Sequence, residues 1–145
     1  MTGQIFTRLR EANLIEELML PYAADLTGYS PEELASEPGN IVVSDAHGSL
    51  AIAESHGNGI YAAHHFHPVG VRGAEALRRS KGLLAHLFDT YPEIGALRGY
   101  SPAERPETHW IARQLGFTAH GRITVQGQEF EMFILTRREF EGTSA

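Results

Sequence analysis

The stretch HPVGVRGAEALRRSKGLLAHLF, residues 67–88, constrains the fold more than any other part of the chain. It leads out of a strand-like run, IYAAHHFH, through a short loop holding Pro68, Gly70 and Gly73. Beyond the loop Ala76, Leu77, Ser80, Leu83, Leu84, Leu87 and Phe88 recur every three to four positions and draw one apolar stripe along a helix. Arg78, Arg79, Lys81 and His86 fall mostly outside that stripe. YPEIG ends the helix, and ALRGYS follows as a short strand. A strand, a helix and a second strand in this order fit a right-handed crossover, which makes the two strands parallel neighbours. The corner itself can hold a phosphate, and it can equally be an ordinary turn into a helix.

The elements around it are short and closely spaced. EANLIEELMLPYAADL reads as a helix interrupted at Pro21, with Leu14, Ile15 and Leu18 on one face. SPEELASE reads as a second, with Ser30 as N-cap, Pro31 in the first position and Glu33 completing a capping box. NIVVSD, SLAIAES and IYAAHHFH are then three strands joined by AHG and HGNG, the spacing of an antiparallel meander. After ALRGYS, PETHWIARQLGF is a helix with Thr108, Ile111, Ala112 and Leu115 on one face. Gly116 suits a left-handed C-cap, with Phe117 folding back as its apolar contact. RITVQGQEFEMFIL closes the chain as a hairpin turning at QGQ.

Composition narrows the function classes. The 145 residues fit one domain, residues 1–145, with 42% hydrophobic and 21% charged residues. No apolar run is long enough to span a membrane, and the charged N-terminus lacks a signal-peptide core. There is no cysteine, hence no disulfide, thiolate metal site or cysteine nucleophile. The expected location is cytoplasmic. A formal charge of −6 argues against a general nucleic-acid surface. Arg72, Arg78, Arg79 and Lys81 nevertheless gather within residues 72–81, a local basic patch that suits a small anion or is simply a solvated helix face.

This order of elements, with the VGVRGA loop, the HWIARQLGF helix ending in Gly-Phe and the closing hairpin, resembles the GNAT N-acetyltransferase superfamily. The likeness covers nearly the whole chain, most clearly residues 40–137. A weaker likeness is to a divergent branch of small GNAT-like proteins of phages and prophages. The resemblance implies an α/β fold with a mixed, mostly antiparallel sheet flanked by helices and a strand–loop–helix acyl-CoA corner. It implies acetyl-CoA as substrate and an amine as acceptor. The alternative it leaves open is a non-catalytic phage or prophage assembly component, found in the virion, with virion proteins or further copies of itself as partners.

The corner would bind the pyrophosphate of CoA through the amides of Val71, Arg72, Gly73 and Ala74, since a helix N-terminus offers unpaired N–H groups and partial positive charge. The Arg72 side chain is a second contact, and Arg78 or Lys81 could meet a phosphate from the helix face. By the same resemblance the pantetheine arm lies between the strands IYAAHHFH and ALRGYS, with the thioester near Ala63, His64 and His65. Many family members place a tyrosine on the second helix as proton donor to the departing thiolate. Ala112 stands there in this chain, and Arg105 stands where an asparagine is common. Tyr100 and Ser101 are the candidate substitutes. Glu54, His64 and His65 are candidate bases for the attacking amine. Each also reads as an ordinary surface or core polar residue. His65 and His67 share a strand face and His64 points the other way. Two imidazoles fall short of a zinc site, and with His47, His56 and His109 scattered elsewhere no metal is expected. Trp110 and the aromatic residues of the hairpin read as core or interface.

Overall fold

The computed structural model describes residues 6–8, 37–68, 70–125 and 127–144. Both helices expected before residue 37 lie outside them. The described strands are β1 (Phe6–Arg8), β2 (Ile41–Asp45), β3 (Leu50–Ser55), β4 (Ile60–Phe66), β5 (Ala96–Pro102), β6 (Thr118–Val125) and β7 (Gln128–Thr136). The helices are α1 (Gly73–Thr90), α2 (Pro106–Gln114) and α3 (Arg137–Ser144). All the strands form one sheet in the order β1-β2-β3-β4-β5-β7-β6. β2, β3 and β4 make the expected antiparallel meander, and β4 and β5 are the expected parallel pair, bridged by α1.

The core sits under α1. Leu83, Leu84, Leu87 and Phe88 pack on Ile41, Val43, Ala51, Ala53, Tyr61, Leu97, Phe133 and Leu135. These strand residues occupy one face of the pleat. Val42, Leu50, Ile52 and Ala62, on the opposite face, are buried as well. The sheet is therefore closed on both sides through its centre. Ala76 and Ser80 are buried with the apolar stripe of α1, as its periodicity predicts.

α2 ends as Gly-Phe predicts. Gly116 has φ of +101°, its N–H donates to the Arg113 carbonyl, and the Phe117 N–H donates to the Ala112 carbonyl. That pair of bonds is a Schellman cap, with Phe117 buried in the core behind it. Trp110 is not a core residue, the first of the two roles expected for it. It lies on the outer side of α2 and is 45% exposed, because α2 is a short helix with no fully buried residue.

Two described elements were not anticipated. β1 pairs antiparallel with β2 from Phe6–Asp45 to Arg8–Val43, and three residues are too few for a periodicity to register. α3 did carry a signal. The Thr136 N–H donates to Glu139 Oε1 at 2.9 Å and the Glu139 N–H donates to Thr136 Oγ1 at 3.1 Å. Thr-Arg-Arg-Glu is thus a reciprocal capping box, readable in the sequence as Thr-x-x-Glu.

Candidate functional site

β4 and β5 pair only at their beginnings. Ile60–Ala96, Tyr61–Leu97 and Ala62–Arg98 are partners, and pairing stops there. Beyond that point β4 stays with β3 as far as Phe66–Leu50, while β5 stays with β7 as far as Pro102–Phe130. The two strands therefore part into a wedge, and the edge of β4 from Ala63 to Phe66 has no β5 partner. The vertex is tied by the Gly59 carbonyl, which accepts from the Gly95 N–H at 2.8 Å and the Ala96 N–H at 3.1 Å. A Cβ on Gly59 would lie 3.2 Å from the Glu93 carbonyl oxygen, so the close approach requires glycine there.

The loop after β4 delivers the N-terminus of α1. Arg72 is the N-cap, and its extended backbone carries no side-chain cap. Its exposed side chain makes no hydrogen bond among the described residues. The first-turn amides of Gly73 and Ala74 lie where no intrahelical acceptor exists. Two residues assigned to the phosphate in the sequence are engaged elsewhere. The Val71 N–H donates to the Pro68 carbonyl at 3.0 Å, closing a turn before the helix begins. Arg78 donates through Nε and Nη2 to the Glu75 carboxylate at 2.9 and 2.7 Å. Arg79 donates to the same carboxylate. The two guanidiniums hold the Glu75 carboxyl down to about 2. Lys81 is exposed and lines a groove with Leu84, Gln114 and Phe140, separate from the Glu75 pair.

Behind the loop lies a buried polar cluster that the sequence reading did not assemble. His67 hydrogen-bonds Ser49 Oγ through Nδ1 and Ser80 Oγ through Nε2, both at 2.8 Å. Ser49 and Ser80 are buried, and Asp45 Oδ1 accepts the backbone N–H groups of His47 and Ser49. Arg79 Nη1 donates to the His47 carbonyl and to Ser49 Oγ. Burial and the nearby Arg79 charge lower the His67 pKa. A neutral ring between two hydroxyls ties β3, the end of β4 and α1 into one rigid corner. Its residues are 18 and 13 positions apart in sequence, so no local pattern announces it.

The strand alternation sorts the remaining candidates by face. On the α1 side beyond the vertex lie Ala63, His65 and Ser101. Both ring nitrogens of His65 are buried with no hydrogen-bond partner among the described residues, and burial pushes its pKa down to about 3. Glu131, the register partner of Ser101, keeps on that side a buried Oε2 with no hydrogen-bond partner among the described residues. His109 on α2 donates from Nε2 to the Pro102 carbonyl at 3.0 Å, which fixes its ring. Ala112 packs against the core.

On the opposite face lie Glu54, His64, Arg98 and Tyr100. Glu54, Ala62 and Arg98 form one row across three strands, and His64 is the next β4 residue on that face toward the open wedge. Glu54 Oε1 is 3.1 Å from His64 Nε2 and 3.8 Å from His56 Nε2. Arg98 Nη2 donates to His56 Nδ1 at 3.0 Å. Burial lowers the His64 pKa and outweighs the opposing pull of Glu54. The structure thus brings Glu54 and His64 together and sends His65 away from both. It also separates Tyr100 from Ser101, which point to opposite faces. Arg98 and His56 were missed, because nothing in GALRGY or ESHG marks them as neighbours. Among the described residues no three His, Asp or Glu side chains are arranged to hold a metal ion, and no helix is long and apolar enough to cross a membrane.

No protein-family model matches the sequence, and no curated protein matches it. Solved structures do match. The dodecameric spermidine N-acetyltransferase from Vibrio cholerae superposes with a TM-score of 0.74 over 100% of both chains at 13% identity. The aminoglycoside acetyltransferase AAC(6')-Ib in complex with coenzyme A gives 0.73 over 99% of this chain and 100% of that one at 14% identity. The chain has the GNAT fold. A probable acetyltransferase matches with a TM-score of 0.66 at 11% identity over 96% of each chain. In GNAT-fold terms the Gly59 vertex, the wedge and the α1 N-terminus form the strand–loop–helix corner, and the sheet is the expected mixed, mostly antiparallel one.

Proposed function

We propose that the protein is an N-acyltransferase that moves an acetyl group from acetyl-CoA to an amine. The observation that carries this reading is the wedge between β4 and β5 with the bare N-terminus of α1 beside it. An unpaired strand edge offers backbone groups to an extended amide-bearing arm, as a missing strand would. The amides of Arg72, Gly73 and Ala74 and the Arg72 guanidinium offer donors to a pyrophosphate. Arg78 joins them only by releasing Glu75. Coenzyme A in the AAC(6')-Ib neighbour and the amine acceptors named for these neighbours support the reading.

Glu54 and His64 serve as the base. Glu54, as a carboxylate, accepts from His64 Nε2–H and orients the ring. Burial keeps the ring neutral near pH 7, the form that can take a proton. The amine nitrogen bonds to the acetyl carbon, the carbon–sulfur bond breaks, and the amine proton passes to His64 directly or through water. The thiolate then takes a proton. A thiol near pKa 8.5 is a tolerable leaving group, so the absence of a helix tyrosine at Ala112 costs rate without forbidding the step. Tyr100 and Ser101 are the donors we assign, with Ser101 on the side of α1 and α2.

A second reading has its own support. Ala112, together with the engagement of Val71 and Arg78, fits a GNAT-fold phage or prophage component that transfers nothing. The test is thermal stability with acetyl-CoA followed by thiol release against a panel of amines. A rise in melting temperature and release of CoA support the enzyme. Binding without release against every amine makes it a binding relic, and no binding favours the structural component.

A further inference from the structure

Arg98 stands out on the face that carries the base. Its Nη2 is spent on His56, but its Nε is buried and has no hydrogen-bond partner among the described residues. A guanidinium N–H withdrawn from water without an acceptor is costly, and a ligand acceptor would relieve that cost. Glu54 and Arg98 flank Ala62 in a single row, and their head groups meet opposite nitrogens of one imidazole, His56. The two head groups therefore stand on either side of a single ring. The row runs toward the wedge on the His64 side and away from it on the His56 side.

We propose that the acceptor is a small zwitterion, an amine that carries a carboxylate, as an amino acid does. Its amine lies at Glu54 and His64, beside the open wedge. Its carboxylate accepts from Arg98 Nε–H, at the closed end. One negative and one positive side chain, on either side of the His56 ring, match an ammonium and a carboxylate in the same molecule. A polycation such as a polyamine would meet the Arg98 charge, and repulsion there selects against it. The inference rests on the acyltransferase reading for the identity of the site, and its test is independent of turnover.

The experiment is calorimetric titration of the full chain, with and without saturating CoA, with each common amino acid, with the matching carboxamides and decarboxylated amines, and with spermidine. At least one amino acid is expected to bind at least tenfold more tightly than its carboxamide and its amine. Arg98→Gln is expected to erase that preference, and Arg98→Lys to restore part of it. Equal binding of acid and carboxamide, tighter binding of spermidine, or no amino-acid binding at all overturns the proposal. The acid-against-carboxamide comparison uses the unaltered protein, so it stands even if the variants fold poorly. CoA binding in the same titrations reports separately on the acyltransferase reading.

Discussion

His65 buries two ring nitrogens that have no hydrogen-bond partner among the described residues. Its pKa falls from 6.5 to about 3 because a buried cation would be less stable still. His64 and His67 are lowered by burial too. A histidine held neutral by the fold binds its proton more readily when unfolded, so stability is complete above about pH 6.5 and falls as pH drops toward the folded-state values. His65 alone contributes a slope approaching ~1.4 kcal/mol per pH unit in that window. Denaturant midpoints measured from pH 7 to pH 4 are expected to fall steeply, and His65→Leu to flatten the fall. At the candidate base, Glu54→Gln and His64→Gln are expected to lower turnover by about 10²–10⁴-fold, with acetyl-CoA affinity unchanged. Tyr100→Phe is expected to slow turnover in the same manner. A loss of acetyl-CoA affinity in any of these variants would move the residue from the chemistry to the binding of CoA.

The elements are held by their ends as much as by their faces. The Thr136–Glu139 capping box starts α3, and Thr136→Ala is expected to cost about 1 kcal/mol, read from the denaturation midpoint. At the corner, Gly73 opens α1 with φ of +61° and has open space where a side chain would be. A bulky residue there is expected to cost ~1–2 kcal/mol of strain while leaving the fold intact. If CoA approaches those amides closely, its affinity drops more than tenfold, and unchanged affinity puts the pyrophosphate elsewhere.

Across the whole molecule, Arg137 joins parts far apart in sequence. It donates from Nη1 to the Phe88 carbonyl, from Nη2 to the Tyr91 carbonyl and from Nε to the Ile94 carbonyl, all within 2.9 Å. The last turn of α1 has no basic residue of its own, and the first residue of α3 satisfies its Phe88 carbonyl together with two carbonyls of the loop that follows. The guanidinium also lies over the Phe88 ring at 5.2 Å. Arg137→Ala is expected to cost ~2–4 kcal/mol, with early loss of hydrogen-exchange protection at the end of α1. Acetyl-CoA at a hundred times its dissociation constant is expected to add about 2.7 kcal/mol to global stability.

What the sequence determined by itself was everything that repeats locally. The stripe of α1, the meander, the Gly116–Phe117 cap and the parallel crossover are written in spacing, because 3.6- and 2-residue periods and glycine turns are properties of neighbouring residues. The capping box of α3 was equally legible and was overlooked. The site was legible only as a set of residue types. Glu54 and His64 were both candidates, but their partnership depends on the register of β3 against β4. Arg98, His56, Ser49, Ser80 and Arg137 carried no local mark. Their roles arise where strands and a helix distant in the chain come within hydrogen-bond reach, and only the tertiary structure decides which polar groups are buried together and which are left without a partner.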